Sequence, residues 1–246
     1  MKAELLFGTW PYLAGALFVV GSLIRFVLMR KGARANHRDL PKVPPATSGN
    51  AAWRCGVLVL LLGHLAGLLL PGQILAWNSV PLRLYVLEGI AFAAGASALA
   101  GWAGIFWRRV WRSAGQAATQ LADVCFFSLL FTNLVSGLLT AIAYRWASSW
   151  GATTLAPYFS SILKALPATA LPGRLPFLVQ LHVFSAFVLL AVFPFTSAFL
   201  LVAAVASRAI APIFRQARAI ATGGRAALEG AVRRLDPAAW IWPEEE

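Results

Sequence analysis

Five apolar runs, each long enough to cross a lipid bilayer, constrain this chain more than anything else in it. They cover roughly Tyr12–Met29, Cys55–Ile74, Leu84–Trp107, Ala122–Tyr144 and Phe177–Ser207. A hydrocarbon core of about 30 Å takes about 20 residues of helix. No water there can hydrogen-bond a bare backbone, so a spanning segment must be a helix or belong to a closed barrel. None of the five alternates with the period of two that a barrel strand requires. The expected fold is all-α: an integral membrane bundle of five transmembrane helices. Prolines punctuate it. Pro71 ends the second run, Pro81 and Pro176 precede the third and fifth, and Pro194 sits inside the fifth, where it should kink the helix.

The charge balance agrees. Only 12% of the residues are charged and 59% are hydrophobic, against about 25% charged in a soluble domain. That excludes an ordinary soluble globule, a disordered chain and a nucleic-acid-binding module, despite a net charge of +12. The Lys and Arg lie mostly in loops. Arg30, Lys31, Arg34, Arg38, Lys42 and Arg54 separate runs one and two, and Arg108, Arg109 and Arg112 follow run three. Arg208, Arg215, Arg218, Arg225, Arg233 and Arg234 follow run five. The other side holds Lys2, Arg83, Arg145, Lys164 and Arg174. Basic loops stay in the cytoplasm, so the N-terminus is expected outside and the C-terminus inside. Residues 1–207 would form the transmembrane domain and 208–246 a basic cytoplasmic or interfacial tail. No signal-peptide pattern is expected at the start. Cys55 and Cys125 both lie within apolar runs and make no disulfide framework.

Ionisable groups inside a span are costly and mark functional candidates. Of three His, two fall within spans: His64, between Gly63 and Gly67, and His182. Run two enters from inside and run five from outside, so both imidazoles should lie in the outer half at compatible depths. Two His on facing helices can hold a b-type haem, and the glycines leave room for a flat macrocycle. The same pair can equally be hydrogen-bonded across helices with no metal. Zinc lacks the third and fourth ligands it needs. His37 belongs to a basic loop. Glu88, near the outer end of run three, is either solvated at the interface or part of a proton path for a quinol. Asp123 is placed to cap its own helix.

The order of these pieces resembles the gamma subunit of respiratory nitrate reductase. The resemblance rests on Trp10-Pro11-Tyr12-Leu13-Ala14-Gly15-Ala16 with Gly21-Ser22 and Arg25, and on Gly63-His64 with Gly67 and Pro71. It continues through Phe92-Ala93-Ala94-Gly95-Ala96-Ser97, Ala122-Asp123, Ser128-Leu129-Leu130 and Gly137-Leu138-Leu139-Thr140. Leu181-His182 and Phe193-Pro194-Phe195 complete it. It implies a five-helix, multi-pass cytochrome b of the cell inner (cytoplasmic) membrane, exchanging electrons with quinol in a multi-subunit respiratory oxidoreductase. The family holds two haems on four His. His64 and His182 match the pair nearer the outer face, whereas Arg54 and Leu200 stand at the other pair's positions. Arg cannot shed its proton to ligate iron and Leu has no donor atom, so one haem b is expected.

The resemblance also implies a quinone contact at the start of run three. Val86 stands where the family has a Lys, and Arg83, Tyr85 and Glu88 are the nearby candidates. Partners would be iron-sulfur, molybdenum or other redox subunits, docking on the outer face because the inner half of the core has no ligand set. Lipid is a further partner and nucleic acid is not. A haem-free membrane anchor is the alternative, and a transporter a third class, disfavoured by the lack of any internal repeat. The terminal catalytic site would lie on another subunit.

Overall fold

The computed structural model describes residues 4–36, 51–112 and 121–200, together with the helical positions 202, 203, 206 and 216. Met1–Leu201 forms one compact unit and Val202–Glu246 a second. His37 and nearly all of the basic tail lie outside the described residues.

Among the described residues the chain is helical. A π-helical turn, Leu5–Thr9, leads into α1 (Trp10–Asn36), followed by α2 (Ala51–Leu69), α3 (Pro71–Asn78), α4 (Pro81–Arg112) and α5 (Leu121–Ala143). A helical excursion then comprises α6 (Ala147–Trp150), a second π-helical turn (Gly151–Leu155), α7 (Ala156–Leu163) and α8 (Ala170–Gly173). Last come α9 (Phe177–Val192) and a 3-10 turn, Phe193–Phe195. Among the described residues, five segments are long and apolar enough to span a membrane: Leu5–Leu28, Ala51–Leu69, Pro81–Trp107, Leu121–Ala143 and Phe177–Phe195. They match the five runs in number and order.

The packing is that of a bilayer protein. Large apolar side chains such as Leu23, Leu61 and Ile142 point outward, while Ala14, Ala98, Ser136 and Ser185 are buried. In lipid there is little hydrophobic gain from burying Leu, so close contact between small residues holds helices together. The tightest case joins α2 to α4. A Cβ on Gly56 would lie 2.6 Å from the Ala94 carbonyl oxygen, and one on Gly101 would lie 2.6 Å from Trp53 Cβ. Further interfaces join α4 to α5, α5 to α9 and α9 to α1. No comparable interface joins α2 to α9 among the described residues. The five spans therefore form an arc with a gap between α2 and α9.

The excursion between α5 and α9 bridges that arc at one end. Its Gly151–Leu155 turn and α7 rest on α2. On the other side it is tied to α1. The Tyr12 hydroxyl donates to the Ile162 carbonyl at 3.0 Å, and the buried Tyr158 hydroxyl donates to the Phe7 carbonyl at 2.8 Å. Proline explains the second bond. Pro11 has no N–H to give the carbonyl four residues earlier, which is that of Phe7. The Leu5–Thr9 turn absorbs the misfit, with the Trp10 N–H reaching back to Leu5, and Tyr158 satisfies the orphaned oxygen. Burial, and secondarily Tyr12, push the Tyr158 phenol above the usual tyrosine range, so it stays a neutral donor.

The other prolines set the remaining boundaries. α2 stops at Leu69, short of the expected Ile74, because Pro71 opens α3 instead. Pro194 does more than kink the fifth span. The α-helix ends at Val192, a 3-10 turn follows, and Thr196 is extended before helix resumes at Ser197. Gly21 of α1 closes on this break, where a Cβ would lie 3.0 Å from the Phe195 ring and 3.1 Å from Pro194. Asp123, expected to cap its own helix, accepts the Ser197 N–H at 2.7 Å. It caps the segment after the break, whose first N–H groups Pro194 leaves without helical partners.

Candidate functional site

His64 on α2 and His182 on α9 face each other across the gap in the arc. Their ring centroids are 6.0 Å apart and the planes are tilted by 39°. His64 is exposed and His182 half-buried. Each ring is oriented by a backbone carbonyl at Nδ1: Leu60 for His64 at 2.7 Å, Asn133 for His182 at 3.0 Å. A carbonyl can only accept, so each Nδ1 carries a proton. In this tautomer a neutral imidazole has its lone pair on Nε2, away from the carbonyl. Imidazoles that bind metals are held in this way.

The two anchors differ. His64 is held by its own helix, one turn back. His182 is held by α5. The Asn133 amide donates to the His182 carbonyl at 2.9 Å and to Ser185 Oγ at 3.0 Å, which locks α9 to α5. Ser136 Oγ lies 3.3 Å from His182 Nδ1 and donates to the Asn133 carbonyl at 3.1 Å. Gly137 makes the ring's position possible, since a Cβ there would lie 2.8 Å from His182 Cε1. Thr140, one turn further along the same face, is buried, and its hydroxyl has no partner among the described residues. Sequence reasoning missed Asn133, Ser136 and Gly137. Their spacing of three and four residues inside an apolar run, extended by Thr140, was the available signal.

The residues present suit a bis-imidazole metal centre. The 6.0 Å separation of the two rings would leave room for one metal ion bonded to both at about 2 Å. Gly63 and Gly67 leave the space beside His64 open, since a Cβ on either would meet nothing within 4 Å. Among the described residues no three or more His, Cys, Asp or Glu gather as a metal site. The pair offers two imidazole donors, which would suffice to hold a haem and fall short of the four of a tetrahedral site.

Comparison with known proteins decides the family. The model for the nitrate reductase gamma subunit matches residues 3–213. The chain belongs to the nitrate reductase gamma subunit family. It is 24% identical over 201 residues to the nitrate reductase gamma chain of Bacillus subtilis, covering 80% of this chain and 89% of that one. It is 25% identical to the respiratory nitrate reductase 2 gamma chain of Escherichia coli over 193 residues, 76% of this chain and 84% of that one. A match of 26% over 206 residues to the nitrate reductase-like protein NarX of Mycobacterium tuberculosis covers 31% of that longer protein. In this gamma-family chain, Arg54 is exposed and Leu200 is part of the helix after the Pro194 break.

Of the residues expected near a quinone, Tyr85 and Glu88 meet the start of the excursion, whereas Arg83 meets α3. The Arg83 guanidinium lies 5.3 Å from the Trp77 ring centre, and Tyr85 meets Trp146 edge to face at 5.3 Å. Glu88 is half-buried and accepts both the Ser148 N–H, at 2.8 Å, and the Ser148 hydroxyl, at 2.6 Å. It is a carboxylate at the N-terminus of the excursion's first helix, which the helix dipole favours. The Asn78 amide donates to Ser148 and Ser149 at 3.0 and 2.9 Å, and its own carbonyl oxygen is buried without a partner among the described residues. Ser148, Ser149 and Asn78 were not legible beforehand, because only the tertiary fold brings them to Glu88.

Proposed function

We propose that this gamma-family protein is the membrane cytochrome b subunit of a respiratory oxidoreductase, carrying electrons between quinol and a partner redox subunit. His64 and His182 would hold its haem, and Gly63 and Gly67 would border it. The observation that carries this reading is the facing pair of Nδ1-protonated imidazoles, 6.0 Å apart across helices that otherwise stay apart. A haem b bound there supplies a one-electron Fe(III)/Fe(II) couple.

The chain's own residues then have defined roles. His64 and His182 present Nε2 donors, and Leu60 and Asn133 hold the rings. Arg83, Tyr85 and Glu88 border the quinone site. The unpartnered Asn78 oxygen beside them can accept a quinol hydroxyl proton in a hydrogen bond. Oxidation of one quinol releases two protons and two electrons, and the electrons leave one at a time to the partner's redox centre. Only three His exist in the chain, so the His complement makes a single bis-His pair. With the N-terminus outside, as the fifteen basic residues of the opposite side favour, that pair lies toward the outer face of the inner membrane. The partner, carrying an iron-sulfur, molybdenum or other redox centre, therefore docks on the outer face.

His64→Ala or His182→Ala tests the assignment. Each leaves one of the two imidazoles, and the low-spin b-type spectrum is expected to vanish while the chain still inserts. A full low-spin spectrum in either variant refutes the ligand pair.

A further inference from the structure

We infer that the polar stripe of α5, Asn133-Ser136-Gly137, is the positioning element that sets the tautomer and ring angle of His182, and of His182 alone. The inference rests on the haem reading for its consequence at iron, but the ring geometry it concerns belongs to the protein itself.

The two imidazoles are anchored by different means. The Nδ1–H of His64 is received by Leu60, four residues earlier in the same helix, at 2.7 Å. That bond moves with α2 as one body. The Nδ1–H of His182 is received by another helix, by the Asn133 carbonyl at 3.0 Å with the Ser136 hydroxyl oxygen as a second acceptor at 3.3 Å. The Ser136 hydroxyl is in turn fixed by donating to that same carbonyl. The Asn133 side chain clamps the backbone of His182 and the Ser185 hydroxyl. Gly137 sets the distance, because any larger residue would strike the ring at Cε1 and Nδ1. A Cβ 2.8 Å from Cε1 and 3.2 Å from Nδ1 forces the ring, or the spacing of α5 and α9, to shift.

These residues act through His182, on its ring and its backbone, so they are positioning residues. Ligand-orienting partners of this kind change metal affinity about 10- to 100-fold when lost. Three variants separate the roles. Gly137→Ala displaces the ring. Ser136→Ala removes one acceptor without adding bulk, and Ser136→Thr keeps the hydroxyl. Gly15→Ala on α1 adds the same methyl where it meets open space and serves as the control.

The test begins with full-length protein labelled with 15N-histidine and stripped of haem, in detergent. The three His make the spectrum assignable by single substitutions. His64 and His182 are both expected as the Nδ1–H tautomer. Ser136→Ala should shift the His182 signals and leave those of His64 in place, and Ser136→Thr should restore them. In haem-loaded protein, Gly137→Ala should weaken haem retention at least about tenfold and broaden or shift the low-spin signal, while Gly15→Ala leaves both unchanged. An Nε2–H tautomer at His182, or Gly137→Ala with unaltered haem retention and spectrum, overturns the inference. Wild-type protein that binds no haem yet shows both Nδ1–H tautomers sinks the haem reading and upholds the positioning role.

Discussion

Gly56→Ala should loosen the tightest helix contact in the bundle and, through it, the geometry of His64. In the wild-type chain the missing Cβ would lie 2.6 Å from the Ala94 carbonyl oxygen and 2.7 Å from the Ala98 nitrogen. Both are backbone atoms of α4 and cannot swing aside. Restoring an ordinary contact of 3.4 Å requires α2 and α4 to part by about 0.8 Å at this level. Overpacking of this kind costs about 1–3 kcal/mol. Taken alone, Gly to Ala inside a helix is worth about 0.5–1 kcal/mol in the opposite direction. Gly15→Ala, which meets nothing within 4 Å, isolates that propensity gain. The two methyls should therefore act with opposite sign. Gly56 lies two helical turns from His64, about 12 Å along α2, so the displacement also reaches the ring pair. The assay is the denaturant midpoint in mixed micelles, read alongside haem retention. Gly56→Ala is expected to be destabilised and to retain less haem, with Gly15→Ala as stable as wild type or more so. Equal midpoints for the two variants would refute the claim that backbone proximity between α2 and α4 holds this half of the bundle.

Two more outcomes follow from particular bonds. Tyr158→Phe leaves the Phe7 carbonyl buried without its donor, at a cost of about 1–3 kcal/mol. Pro11→Ala should recover part of that loss in the Tyr158→Phe background, because residue 11 regains an N–H for Phe7; strict additivity in a double-mutant cycle contradicts this. Asp123→Ala should raise backbone hydrogen exchange at residues 197–200 while leaving α5 protected, and Asp123→Asn, which keeps an acceptor, should do so less. Unchanged exchange at Ser197 would show that the carboxylate is not its cap.

The bilayer explains which parts of this fold are readable from sequence. A span must hide its backbone over a fixed thickness, so the five apolar runs reveal the five helices and their order. Their ends are set by local chemistry that hydropathy does not weigh. The first span starts at Leu5 because a π-helical turn carries the helix past Pro11. The second ends at Leu69 because Pro71 fits best as the first residue of a new helix. Pro194 was legible as a disturbance, but its full effect needed Asp123 from another helix to hold the segment beyond it.

The same distinction runs through the site. His64 and His182 stand out because an imidazole in an apolar run is rare, and span directions put them at similar depth. The surroundings of His182 are tertiary. Asn133 and Ser136 look like ordinary small polar residues until α5 is laid against α9, and Gly137 looks like a helix-weakening glycine until the ring is seen on it. Ser148 reaches Glu88 only because the excursion folds back over α4, which turns an apparently isolated carboxylate into a helix cap.

Haem b per chain, measured as the pyridine haemochrome of the purified full-length protein, tests the central claim most directly. One haem per chain is the predicted result, matching the single pair formed by His64 and His182. No haem would contradict the cytochrome reading and leave a membrane anchor in its place. Two would contradict the single pair and restore an electron path across the whole membrane.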